Sequence, residues 1–195
     1  MDRFGLDIKY LDFHMINRRQ FVKRAAICYG SLLLLPGCVR RVEKEFYRVF
    51  SREEAECLGC ICEQFIPSDE FAGARDAGVV NFIDKLLYQR FPELTEPYKN
   101  GLGSLEEFCR ETYGRTFAQL EWNVQHFVLV QMEKGGLPPS FWGKINQKEF
   151  FNIVLRNTMQ GFYGSPRHGG NKNYVSFRMM RLDFPLLIGQ NRYEE

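Results

Sequence analysis

Long hydrophobic runs are missing from this chain of 195 residues. The apolar stretch at residues 25–35 covers 11 positions, well short of the roughly 20 that a helix needs to cross a bilayer. A charge excess is missing too, since 26 Lys and Arg stand against 24 Asp and Glu. That balance leaves no electrostatic case for nucleic acid. Histidine is scarce, with three in the chain (His14, His126, His168). Neither His126 nor His168, the two beyond the signal region, has a carboxylate pair or nucleophile close by in sequence that would make a catalytic set, which disfavours a hydrolase. No Gly-Lys-Ser/Thr phosphate loop follows a strand-like segment, and no stretch alternates as a strand would, so a nucleotide-binding α/β fold is not expected. Tandem repeats, low-complexity tracts and long linkers are absent as well.

What the chain does have begins at Asn17-Arg18-Arg19-Gln20-Phe21-Val22-Lys23, followed by the short apolar run. Paired arginines, then Phe21 and Lys23, then a greasy segment too short to span, read as a twin-arginine export signal. Met15 lies just ahead, so Met1 and Met15 are alternative starts. The run ends Leu35-Pro36-Gly37-Cys38, which resembles a lipobox with Cys38 as the acylated residue; Pro36 is an uncommon occupant there. Acylation at Cys38 would tether the protein to a membrane surface without spanning it. The expected organisation is therefore a signal region at 1–37, a tether at 38–50 and a helical domain at 51–195.

Residues 1–37 hold six of the basic and three of the acidic side chains, so the remainder carries a net charge of −1. Its length suits one compact domain. Aromatic residues make up 15% of the chain, which fits either a heavy core or a surface covered by another protein.

Apolar periodicity predicts an all-α domain of about five helices. Ser51-Arg52-Glu53-Glu54 is a capping box opening a helix through Ala55, Leu58, Ile61 and Phe65 that stops at Pro67. Val79, Val80, Phe82, Ile83, Leu86 and Leu87 form the second, ended by Pro92. A capping box at Ser104 is expected to start the third, which ends near Gly114. Another at Thr116 opens the fourth and longest, with Leu120, Val124, Phe127, Val128 and Met132 on its apolar face. Asn146 starts the fifth, through Phe150, Phe151, Val154, Leu155 and Met159. Beyond Gly161, Gly, Pro, Asn and aromatic residues replace helical periodicity in a long irregular C-terminal segment.

Cys57, Cys60 and Cys62 share the first helix, and Cys109 lies on the third. At about 100° per residue Cys57 and Cys60 point roughly 60° apart and Cys62 roughly 140° from Cys57, poor geometry for one ligand set. Small core residues, a disulfide from Cys57 or Cys60 to Cys109, and a metal or cluster site all remain open. His126 is expected as a hydrogen-bonded core or interface residue.

The run from Gly161 to Asn171, Gly-Phe-Tyr-Gly-Ser-Pro-Arg-His-Gly-Gly-Asn, concentrates residues suited to special backbone conformations. It is either a structural turn packed on the domain's own helices or a contact for a partner.

Together with the export signal, Phe65-Ile66-Pro67, the run from Ala72 to Val79, Phe82-Ile83-Asp84 and Phe150-Phe151, this segment makes the chain resemble the gluconate 2-dehydrogenase subunit 3 family. The resemblance implies a small, non-catalytic subunit of a membrane-associated sugar or sugar-acid dehydrogenase. It further implies a large FAD-containing flavoprotein as partner, often with a cytochrome c subunit carrying haem c. In that arrangement the small subunit supplies the export signal read by the twin-arginine translocase and supports maturation of the large one. The expected site is a set of contact or scaffold positions at Phe162, Tyr163, Pro166, Arg167, His168, Gly169, Gly170 and Asn171, with no cofactor in this chain. The alternative is a stand-alone periplasmic lipoprotein using Cys57, Cys60, Cys62 and Cys109 for metal or redox chemistry.

Overall fold

Six α-helices joined by short 3-10 turns make up the computed structural model, which describes residues 47–182. The helices are α1 (Arg52–Phe65), α2 (Val79–Gln89), α3 (Thr95–Tyr113), α4 (Trp122–Lys134), α5 (Gln147–Tyr163) and α6 (Val175–Met179). Among the described residues there is no strand.

The core is organised around α5, which packs against each of the other five helices. Phe150, Phe151, Ile153, Val154, Asn157, Thr158, Gly161 and Phe162 are all buried. These positions spread over about half of the helix circumference at ~100° per residue, wider than a surface helix needs. Asn146 caps it by accepting the amides of Lys148 and Glu149. Around it, the rings of Phe50, Tyr98 and Phe150 meet edge to face, with centroids 5.8 and 6.2 Å apart. Asn157 Nδ2 donates to the buried Tyr98 hydroxyl at 2.9 Å, so the one polar tip in this cluster is satisfied.

The helix at Ser51 forms as expected, with both halves of its capping box made. Two other starts differ from the expected ones. The third helix begins at Thr95, not Ser104, and continues through Gly101 and Gly103. Gly101 is required there because the ring of Phe150 lies where a Cβ would project, so packing overrides the usual helix penalty of glycine. The Thr116 capping box is made, but it closes only the single turn Phe117–Gln119. Leu120 is then extended at ψ 150, and α4 starts at Trp122. Phe127, expected on the apolar face of that helix, is 55% exposed, while Val128, Leu129 and Met132 are buried. The sixth helix, α6, was not foreseen.

Most of the segment expected as a tether lies outside the described residues, but its last residues are part of the fold. Phe50 is buried, and the buried Asp84 carboxylate on α2 accepts the amides of Arg48, Val49 and Phe50.

Candidate functional site

After α5 the chain needs a way to satisfy its backbone without a helix, and Asn171 provides the hub. Its Nδ2 donates to the Gly164 carbonyl at 2.8 Å, and its Oδ1 accepts the Ser176 amide at 3.0 Å. The residue is fully buried at φ 46, a left-handed conformation that asparagine adopts more readily than most residues. Gly170 passes so close to α5 that a Cβ would collide with the Gly161 carbonyl. Backbone cannot yield as a side chain can, so this contact demands glycine.

Two further bonds fasten the segment to the start of α2. Lys172 N donates to the Ala77 carbonyl at 2.9 Å, and Asn81 Nδ2 donates to the Gly169 carbonyl at 3.0 Å. Each such bond contributes about 1 kcal/mol net, and together they fix the segment's position. Asn173 and Tyr174 also lie at positive φ, 57 and 59. For a bulky aromatic this costs on the order of 1–3 kcal/mol, which the surrounding bonds must offset.

The expected contact positions thus divide by burial. Phe162, Gly170 and Asn171 are buried and act as scaffold, while Pro166 and Gly169 are half-buried. Tyr163, at the end of α5, is exposed, as are Arg167 and His168 on the turn Pro166–His168. Arg167 Nε donates to His168 Nε2 at 3.1 Å, which orients the imidazole. Sequence reading singled out this segment but missed Asn81 and Lys85 on α2, whose side chains border Gly169. Only their helical spacing, one turn apart, pointed to a shared face.

The four described thiols are free and buried. Different neighbours engage them: Arg75 donates to Cys60 Sγ at 3.0 Å, and Thr158 Oγ1 donates to Cys62 Sγ at 3.2 Å. Burial pushes the Cys57 thiol well up, helped by the nearby Glu106 carboxylate. Burial likewise raises Cys62 to about 12, against the pull of its Thr158 hydrogen bond. Burial also raises Cys60, opposed by Arg75. Among the described residues no group of three or more His, Cys, Asp and Glu side chains is placed to hold a metal. Such thiols are inert core residues in character rather than nucleophiles.

His126 is exposed on α4 rather than in the core. A groove of about 380 Å³ lies between α1 and α3, lined by Glu53, Glu54, Glu56, Glu106 and Arg110 among others. It is acidic and holds no histidine, serine or cysteine nucleophile in its lining.

Arg18, Arg19, Phe21, Lys23 and Cys38 lie outside the described residues. Among the described residues no helix is long and apolar enough to cross a membrane. No curated protein and no solved structure matches the chain. The sequence model of the family described as Gluconate 2-dehydrogenase subunit 3 matches residues 52–183, from the first turn of α1 to just beyond the segment anchored by Asn171. The chain therefore belongs to the gluconate 2-dehydrogenase subunit 3 family.

Proposed function

We propose that this protein is a non-catalytic accessory subunit of an exported FAD-dependent sugar or sugar-acid dehydrogenase. Family membership, carried by the match over residues 52–183, supports this reading. Hydride chemistry resides in a large flavoprotein partner, and a cytochrome c subunit with haem c passes the electrons on. The twin-arginine signal at Arg18, Arg19, Phe21 and Lys23 serves both polypeptides, with the flavoprotein crossing the inner membrane bound to this chain. Acylated Cys38 then keeps the complex on the periplasmic membrane surface. The exposed Tyr163, Arg167 and His168, held by the buried Phe162, Gly170 and Asn171, form the part that meets the flavoprotein.

Co-expression of the two polypeptides tests the reading. Changing Arg18 and Arg19 to lysine, or deleting residues 1–37, should strand the flavoprotein in the cytoplasm. Undiminished export of the flavoprotein with either variant would refute the escort role. Flavin absorbance in the isolated chain, or sugar oxidation by it alone, would refute the division of labour.

A further inference from the structure

Charge in this domain is balanced overall and segregated along the chain. Residues 47–182 contain 16 basic and 16 acidic side chains, yet no Asp or Glu occurs between Glu149 and Asp183. That stretch holds Arg156, Arg167, Lys172, Arg178 and Arg181, so residues 47–149 carry an excess of five negative charges. The fold gathers part of the positive excess on one surface. The turns Pro166–His168 and Lys172–Tyr174 pack against each other, and both are fastened to the start of α2. Lys85 of α2 joins them: a Cβ on Gly169 would come within 2.9 Å of its Nζ. Arg167 and Lys172 are exposed, as is Arg181 at the end of the segment. On α2 and the turn before it the acidic groups are Asp76, exposed, and Asp84, whose carboxylate is occupied by three backbone amides, while the one acidic group of α5, Glu149, lies in its first turn, at the end away from Gly161.

We infer that this basic ledge, centred on Arg167, Lys172 and Lys85, is an electrostatic docking surface for an acidic patch on the flavoprotein subunit. The inference rests on the accessory-subunit reading above and adds the chemistry of the contact. Rigidity favours a protein over a lipid surface as occupant. A fluid bilayer gains nothing from a loop locked by buried hydrogen bonds and left-handed residues, whereas a fixed partner does, because less ordering is lost on binding. Arginine, here Arg167, is enriched in protein interfaces, while Lys85 and Lys172, of a type depleted there, act through their charge. A net-neutral domain with a local cationic surface is steered by orientation rather than by overall attraction.

The test uses the full chain and the flavoprotein that co-purifies with it, followed by flavin absorbance. The double variant Arg167→Glu/Lys172→Glu should weaken capture about tenfold or more, chiefly through slower association, and should flatten the dependence on salt. Lys144→Glu, an exposed charge reversal on another element, should stay within about twofold, and matching circular dichroism melts confirm that the variants fold. Wild-type affinity indifferent to salt, or a double variant that captures flavoprotein normally, would overturn the inference while leaving the accessory role standing. So would a double variant that loses only binding to phosphatidylglycerol vesicles, or only self-association. If the wild-type chain captures no flavoprotein at all, the accessory role fails and this inference with it.

Discussion

Asp84 accepts the amide of Val49 at 2.9 Å across 35 positions of sequence. The same carboxylate takes the amides of Arg48 at 3.0 Å and Phe50 at 3.3 Å, so a single buried anion satisfies three consecutive donors. Bonds of this kind, from amides to an ionised acceptor, are stronger than neutral ones. Arg48 adds a second contact to the same helix by lying 4.8 Å over the ring of Tyr88.

Asp84→Asn keeps the shape but turns a donor toward donors. It should lower unfolding free energy by about 2–4 kcal/mol, from lost charge-assisted bonds and stranded amides. Urea denaturation measures the loss, and amide exchange should quicken at residues 48–50 before it does in α5. A loss below about 0.5 kcal/mol would show that these amides find water instead.

The Asn157–Tyr98 bond gives a second prediction, because both partners are buried. Tyr98→Phe leaves the Asn157 amide without its acceptor and should cost about 1–3 kcal/mol. Adding Asn157→Leu removes the stranded group, so the double variant should regain part of that loss. Additive losses in the double-mutant cycle would contradict the coupling.

The thiols give a pH prediction. The folded-state Cys62 thiol is held at about 12 against an ordinary 9.0, chiefly by burial. The folded protein therefore keeps this proton longer than the unfolded chain does, and stability falls where the unfolded thiol ionises first. The contribution is complete below pH 9 and is lost as pH rises from there toward 12. In Cys62→Ala the decline in urea midpoint above pH 9 should be shallower than in the wild type. A thiol reagent at neutral pH should label the described cysteines only as fast as the protein opens.

Much of the fold was legible because its signals are local. The Ser51 capping box, the proline stops and the apolar spacing of α2 and α5 need no tertiary knowledge. The errors arose where packing decides. Ser104 carries the same motif as Ser51, yet the chain is already helical there, since Gly101 makes room for Phe150 and continuing the helix buries Tyr98 and Leu102. At Thr116 the motif did cap a turn, but the turn could not propagate past the extended Leu120. The C-terminal segment was recognisable from its glycines and Asn171. Which of its residues face outward was not, because that depends on bonds to Ala77 and Asn81, about 90 positions upstream.

The seam at residues 48–50 has a consequence for timing. The anion that closes it sits on a helix made later, so these three amides have no carboxylate to meet until residue 84 has been synthesised and α2 has wound. In a nascent molecule residues 48–50 therefore lack their acceptor, and in a finished one they have it. Protease cleavage just ahead of Phe50 would serve as a clock for completion of the body behind it.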